Sequence, residues 1–152
     1  MVSADPGRTA SNQPHCAAPE EAPPTGTTAV LLELGFDGDS LSGVRSAVAA
    51  QVAAIPAGRL VDTMMLIAHE LASNAVRHGG GSGRLRLWLT GGALHCGVSD
   101  AGPGLEEPAS AGRVLPALSL PGGRGLWIAR QMSDLRIVSS PRGTTVTATL
   151  PL

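Results

Sequence analysis

The sequence predicts an α+β domain, a two-layer sandwich in which helices cover one face of a mixed or antiparallel sheet. Short segments that alternate apolar and polar residues, as strands do, are separated by glycine-rich turns. Other segments carry apolar residues at helical spacing. The chain has 152 residues, which is enough for one domain with a substantial core.

The predicted elements follow in order along the chain. Residues 28–36 alternate as a strand, and residues 40–55 and 56–78 place apolar side chains on one face of a helix. Pro56 separates the two helices, and the glycine-rich segment 79–83 ends the second. The remaining predictions are strands over 84–90 and 93–98 joined by a Gly91-Gly92 turn, a helix over 122–132, and strands over 135–139 and 144–150.

Two segments lack such periodicity. Residues 1–26 are rich in proline, alanine and small polar residues, so we expect a disordered tail ahead of a single domain over 27–152. Residues 105–121 are also irregular, and a loop of this length inside a compact domain usually has a function.

Composition excludes several classes of function. The formal net charge is −1, so we expect no basic surface for nucleic acid or for an anionic membrane. No segment reaches the roughly 18 apolar residues that a spanning helix needs, and the start of the chain lacks an apolar signal core, so we expect a cytoplasmic protein. Cys16 and Cys96 are too few for a disulfide framework or a zinc site. The chain contains no lysine, which excludes lysine chemistry.

Residues 66–78 are the most informative segment. Glu70, Asn74 and His78 lie at i, i+4 and i+8, so they share one face of the predicted helix, opposite an apolar face. Buried polar groups cost free energy unless they are paired, so such a row faces a cleft more often than a dry core. Taken alone, the row is equally compatible with a solvated helix face.

A glycine-rich segment follows the predicted strand over 93–98. Asp100 lies where this strand ends, and a carboxylate there can accept a hydrogen bond from an exocyclic amine such as that of adenine. Gly102 and Gly104 allow the backbone to approach a flat ring. An ordinary Asp-x-Gly turn is the alternative.

A second glycine-rich segment, 121–125, runs directly into a predicted helix. Free N–H groups at a helix start favour phosphate binding, and Arg124 adds a cation whose geometry suits phosphate oxygens. The segment does not match the P-loop pattern, and no Gly-x-Gly-x-x-Gly motif follows a first strand as in a Rossmann fold.

Together the three segments resemble a known family. Glu-x-x-x-Asn on a helix, then Asp-x-Gly-x-Gly, then Gly-x-Gly-Leu opening a helix are similar to the N, G1 and G2 boxes of the GHKL (Bergerat-fold) ATPases. Within that superfamily, residues 70–78 resemble the N box of the anti-sigma regulatory factor and serine/threonine protein kinase group. Residues 143–151 resemble the last strand of that group, which carries a threonine near the adenine-binding aspartate. The resemblance covers residues 28–152.

The resemblance implies ATP and Mg²⁺ as ligands and a role for each site residue. Asn74 would hold Mg²⁺, and Glu70 would be the general base or would only orient a Mg²⁺-bound water. Asp100, supported by Thr145, would bind the adenine amine, and residues 105–121 would be the ATP lid. The other implied ATP-binding residues are Gly102 and Gly104 at the base, Gly123, Arg124, Gly125 and Leu126 at the phosphates, and Arg77 and His78 at the end of the N-box helix.

The resemblance also implies partners. The protein would sequester a sigma factor and phosphorylate a serine or threonine of a STAS-type anti-sigma-factor antagonist, and it would form a homodimer through the helix over 40–55. Two alternatives stay open. One is an ATP-binding interaction module without kinase activity, and the other is the stand-alone catalytic domain of a two-component histidine kinase. The second is disfavoured because we find no upstream helix pair with a phosphoacceptor histidine.

Overall fold

A computed structural model of the chain describes residues 28–56, 58–113 and 124–152. The predicted tail over 1–26, the later part of the predicted lid and the start of the predicted helix over 122–132 lie outside these residues. The described elements are, in chain order, β1 (Ala29–Asp37), α1 (Leu41–Val52), α2 (Gly58–His78), β2 (Ser82–Thr90), β3 (Ala93–Asp100), α3 (Arg124–Met132), β4 (Asp134–Ser140) and β5 (Gly143–Pro151).

The five strands form one sheet in the order β1-β2-β3-β5-β4. Each neighbouring pair is antiparallel, so the sheet is antiparallel throughout its described strands. β3 and β5 are far apart in the sequence but adjacent in the sheet, where Asp100 pairs with Thr144 and Val98 pairs with Val146. This pairing brings the end of the Asp100 strand to the start of the last strand.

The helices cover one face of the sheet. α2 packs on β2, β3 and β5, α1 packs on α2 and β1, and α3 packs on α2, β4 and β5. The core lies between the layers and includes side chains with no solvent exposure, such as Ile67 on α2 and Leu87, Cys96 and Ala148 on the sheet. This architecture confirms the predicted two-layer α+β class.

The opposite face of the sheet carries the alternate residues of each strand, which are largely polar. The rings of Trp88 and His95 stack there, with centroids 5.1 Å apart, and His95 Nδ1 lies 2.9 Å from Thr149 Oγ1. Gly97 makes room for the indole, since a Cβ atom at this position would lie 3.1 Å from the Trp88 ring. This face therefore has its own ordered packing, separate from the core.

Several element boundaries differ from the prediction by one to three residues, and two of the differences have a local cause. α1 ends at Val52, although the apolar spacing continues to Ile55. Ile55 directly precedes Pro56, and a residue before proline is disfavoured in helical conformation. β1 continues to Asp37, whose carboxylate accepts hydrogen bonds from the backbone N–H of Ser40 in the turn before α1. None of the described helices combines the length and the apolar character needed to cross a membrane.

Candidate functional site

Asp100 is the last residue of β3, and its half-buried side chain lies against the end of α2. Gly79 follows α2 and is buried, and a Cβ atom on Gly79 would overlap the carboxyl group of Asp100. Asp100 Oδ1 accepts a hydrogen bond of 3.0 Å from the backbone N–H of Gly102. Among the described residues, Oδ2 has no hydrogen-bond partner, so it remains able to accept from a ligand.

The glycines of the Asp-x-Gly-x-Gly segment pack against the protein itself. A Cβ atom on Gly102 would lie 2.6 Å from Gly79 Cα, so this loop crosses the end of α2 in close contact. Gly104 has a positive φ of 85°, and a Cβ atom there would overlap the carbonyl group of Ser140. The space left by both glycines is therefore filled by backbone and not by the flat ring that the motif predicts.

Glu70 and Asn74 lie one helical turn apart on α2 and face the first turn of α3. A Cβ atom on Gly125 would lie 2.8 Å from Glu70 Oε2 and 3.3 Å from Asn74 Nδ2. The absence of a side chain at Gly125 therefore lets a carboxylate and an amide approach the start of α3. The partial positive charge at a helix N-terminus favours anions there, whether a carboxylate or a phosphate.

The other residues predicted to bind phosphate do not share one environment. Arg124 begins α3 and is half-buried, whereas Gly123 lies outside the described residues. The side chain of Leu126 packs against the core, and a Cβ atom on Gly112 would lie 2.7 Å from Leu126 Cβ. Gly112, in the loop that follows β3, therefore lies directly against Leu126.

Arg77 and His78 occupy the last turn of α2, and both are exposed. Positive charge is favourable at a helix C-terminus, where carbonyl groups lack partners within the helix. His78 shares the helix face of Glu70 and Asn74, as the spacing predicted. Neither side chain is buried together with the carboxylates of Glu70 and Asp100.

The threonine beside Asp100 is Thr144, whereas the motif predicts Thr145. Successive residues of a strand point to opposite faces, and Thr144 pairs directly with Asp100 on the helix-covered face. Its Oγ1 lies 2.8 Å from Ser139 Oγ on β4. Thr145 points to the opposite face, where its hydroxyl lies 3.1 Å from Ser99 Oγ. Thr144, one residue before the expected Thr145, is therefore the threonine that shares the face of Asp100.

Sequence reasoning missed three residues of this site: Gly79, Ser139 and Thr144. A signal for Thr144 was present, because the apolar residues Val146 and Ala148 mark the face of the strand that joins the hydrophobic core and Thr144 continues their alternation. No local pattern identifies Gly79 or Ser139, because their contacts come from other elements of the fold.

The donor set fits a nucleotide-bound cation. The described residues contain no group of three or more histidine, cysteine, aspartate or glutamate side chains that could hold a metal ion alone. Mg²⁺ commonly takes one or two protein oxygens and completes its shell with phosphate and water. The side-chain amide of Asn74 on α2 lies beside the start of α3. It suits that arrangement, because the start of α3 offers N–H groups to phosphate.

Comparison with solved structures shows the same fold. The histidine kinase domain of the Erythrobacter litoralis EL346 blue-light activated histidine kinase matches with a TM-score of 0.53 and 20% identity, over 78% of this chain and 68% of that one. The Erythrobacter litoralis EL346 blue-light activated histidine kinase matches with a TM-score of 0.54 and 21% identity, over 76% of this chain and 41% of that one. The mycobacterial sensor histidine kinase MprB matches with a TM-score of 0.51 and 20% identity, over 79% of this chain and 97% of that one.

The sequence comparisons are more specific. No curated protein matches the chain. The family model described as histidine kinase-like ATPase domain matches residues 36–150, which include α1, α2, β2, β3 and every site residue placed above. The chain therefore belongs to the family of histidine kinase-like ATPase domains.

Proposed function

We propose that this domain binds ATP with Mg²⁺ and transfers the γ-phosphoryl group to a serine or threonine of a partner protein. Membership of the histidine kinase-like ATPase family supports ATP as the ligand. The observation that carries the transfer is the Glu70 carboxylate beside Asn74 at the start of α3. A domain that only binds nucleotide has no need of a proton acceptor next to the residue that holds the metal.

The nucleotide would lie between β3 and the start of α3. Asp100 Oδ2 accepts a hydrogen bond from the adenine amine, and Thr144 lies on the same face beside it. The phosphates meet the N-terminus of α3, where Arg124 supplies a positive charge. This placement spans both parts of the site, the end of β3 and the start of α3, and both parts lie against α2 or its end.

Asn74 would hold the Mg²⁺ ion through its side-chain oxygen, and the ion would neutralise phosphate charge. Glu70 acts as the general base and takes the proton of the serine or threonine hydroxyl. The hydroxyl oxygen forms a bond to the γ-phosphorus as the bond from that phosphorus to the bridging oxygen breaks, and ADP leaves. The products are a phosphorylated partner, ADP and a proton on Glu70.

The proposed partners are a sigma factor and a STAS-type antagonist, as in the anti-sigma group that the three boxes resemble. The surface of α1 is compatible with a second copy of the chain. Its exposed positions include Ser42, Gly43, Ser46 and Ala50, which are small enough for close approach of another helix. We therefore also propose a homodimer that uses α1.

The second candidate is the catalytic domain of a histidine kinase, which the likeness to solved histidine kinases favours. The two candidates differ in the product. Phosphoserine and phosphothreonine are stable in acid, whereas phosphohistidine is not. An ATP-binding module that transfers no phosphate is the third candidate.

Calorimetry of ATP binding with and without Mg²⁺ tests the nucleotide site first. We expect Mg²⁺-dependent binding by the wild type, and its absence would contradict the proposal. The protein is then incubated with γ-labelled ATP and a panel of STAS-domain proteins. Acid-stable label on one of them supports the serine/threonine kinase, acid-labile label supports the histidine kinase, and ATP binding without transfer supports the binding module.

A further inference from the structure

We propose that a cleft at the C-terminal end of α3 binds an acidic peptide segment of a partner protein, whose carboxylate Arg113 and Arg130 hold. The cleft has a volume of about 370 Å³, and its walls are the loop that follows β3, the end of α3 and the start of β4. Its lining is mainly polar. None of the residues that line the cleft belongs to the proposed ATP site, so binding there is independent of that proposal.

The three walls of the cleft are held together by Arg130. The loop that follows β3 packs along one face of α3, where Gly112 lies against Leu126. One helical turn later, Arg130 Nε donates a hydrogen bond of 2.6 Å to the carbonyl of Ala111 in this loop. Arg130 Nη1 donates a longer hydrogen bond of 3.4 Å to the carbonyl of Leu135 at the start of β4. The guanidinium group is therefore positioned by the protein before any ligand binds.

Arg113 and Arg130 bring two positive charges to the cleft. Arg113 Nε donates a hydrogen bond of 2.5 Å to the carbonyl of Ala109 in its own loop. Among the described residues, neither guanidinium group has a carboxylate within 4.0 Å. Burial and the charge of Arg113 lower the pKa of the Arg130 guanidinium, and Asp134 offsets part of this effect. An anion in the cleft would therefore relieve a repulsion between two arginines that the described residues leave uncompensated.

The balance of charge in the cleft favours a carboxylate as the anion. Two arginines and Asp134 line the cleft, which leaves one positive charge in excess. A carboxylate neutralises this charge, whereas the second charge of a phosphate monoester would meet Asp134. The planar set of N–H donors on a guanidinium group also matches the two oxygens of a carboxylate.

The neighbouring edge of the sheet favours a peptide as the carrier of this carboxylate. Among the described strands, β4 pairs with β5 alone and forms one edge of the sheet. The outward N–H and C=O groups of an edge strand can bind an extended segment. Gln131 is exposed beside the cleft and adds an amide that can donate to and accept from a peptide group. An extended segment along β4 would bring an acidic side chain to the two arginines.

The experiment titrates the full chain, without nucleotide, with the peptide acetyl-Thr-Val-Glu-Val-Thr-amide and with its counterpart that carries glutamine in place of glutamate. Backbone amide shifts measured by NMR give the dissociation constants and locate the contact. We expect the glutamate peptide to shift the signals of Gly112 and Leu135 and to bind roughly ten-fold more tightly than the glutamine peptide, the effect of a hydrogen bond to a charged group. Equal binding of the two peptides, or no binding of either, overturns the proposal.

Arg113→Gln is the variant that tests the site, because its hydrogen bond lies within its own loop, whereas a change at Arg130 also removes contacts between the walls. We expect this variant to lose the preference for the glutamate peptide. Arg59→Gln removes the same charge from the exposed first turn of α2 and should keep the preference. Thermal melting verifies that both variants are folded. A control that loses the preference as Arg113→Gln does, or tighter binding of inorganic phosphate than of the glutamate peptide, contradicts a carboxylate site in this cleft.

Discussion

The carboxyl group of Asp100 lies so close to Gly79 that a methyl group on Gly79 would overlap it. Gly79 does not have a positive φ, so the reason for glycine here is space rather than backbone conformation. The end of α2 and the end of β3 therefore hold each other in place. The hydrogen bond from the Gly102 N–H fixes Asp100 Oδ1. The close contact with Gly79 sets the position of Oδ2.

Gly79→Ala is expected to weaken ATP binding by about ten-fold or more, because the new methyl group displaces the Asp100 carboxylate, the proposed acceptor of the adenine amine. Calorimetry measures the change. Gly58→Ala at the start of α2 is the control, because nothing lies within 4 Å of its would-be Cβ atom. Equal affinity of Gly79→Ala and the wild type would show that the position of Asp100 does not matter for binding.

Asp100→Asn is expected to weaken ATP binding by roughly 10- to 100-fold, the range for a hydrogen bond to a charged group. The reason is geometric. The asparagine must turn its oxygen to the Gly102 N–H, which leaves its NH₂ group facing the adenine amine, two donors in opposition. Asp62→Asn, an exposed change on α2, is the control. Unchanged ATP binding would remove Asp100 from adenine recognition.

Glu70→Gln is expected to keep ATP affinity and to slow phosphotransfer by about 10²- to 10⁴-fold, the usual contribution of a general base. Glutamine preserves the size of the side chain packed on Gly125 but does not take up a proton. Single-turnover transfer of labelled phosphate measures the rate, and calorimetry measures the affinity. A variant as active as the wild type would assign proton removal to another group.

Asn74→Ala is expected to abolish the Mg²⁺-dependent part of ATP affinity. The amide is the proposed protein ligand of the ion, so affinities measured with Mg²⁺ and with EDTA should become equal in the variant. In the wild type they should differ. A variant that still responds to Mg²⁺ as the wild type does would place the ion elsewhere.

Cys96 is expected to be unreactive in the folded protein. It has no solvent exposure, and burial raises the pKa of its thiol from 9.0 to about 12. In a Cys16→Ser variant, a thiol reagent at pH 8 should therefore react only as fast as the domain unfolds. The raised pKa also predicts that stability falls between about pH 9 and 12, where the unfolded thiol ionises and the folded one does not. Fast labelling in native buffer would contradict both expectations.

Periodicity predicted the elements well because the described helices and strands turn apolar side chains of one face to the core. The helical spacing of α2 is visible in the sequence and is confirmed by burial, whereas β5 alternates in sequence but is buried on both faces. Glu70 and Asn74 could be paired from spacing alone, since i and i+4 residues share a helix face. Their approach to Gly125 depends on how α2 packs on α3, which no local pattern encodes.

The position of Thr144 and the role of Gly79 show two different limits. The face of Thr144 could be read from the sequence, because a shift by one residue in a strand reverses the face and the apolar residues Val146 and Ala148 mark the face that Thr144 shares. The contact between Gly79 and Asp100 was not predictable, because it joins a helix end and a strand end that meet only in the folded domain. Glycine after a helix is read as a terminator, and here it also serves as a spacer.

The pairing of β3 with β5 has a consequence for how the chain folds. Partners such as Ser99 and Thr145 are separated by 46 positions, so this ladder closes a long stretch of chain and has a higher entropic cost than the hairpins around it. The proposed adenine site needs both strands and therefore forms only after that closure, so we expect nucleotide to bind the finished domain and no partly folded form. By mass action, ATP at 100 times its dissociation constant would add about 2.7 kcal/mol to the stability of the folded state. The cellular abundance of the intact protein would then follow the energy status of the cell.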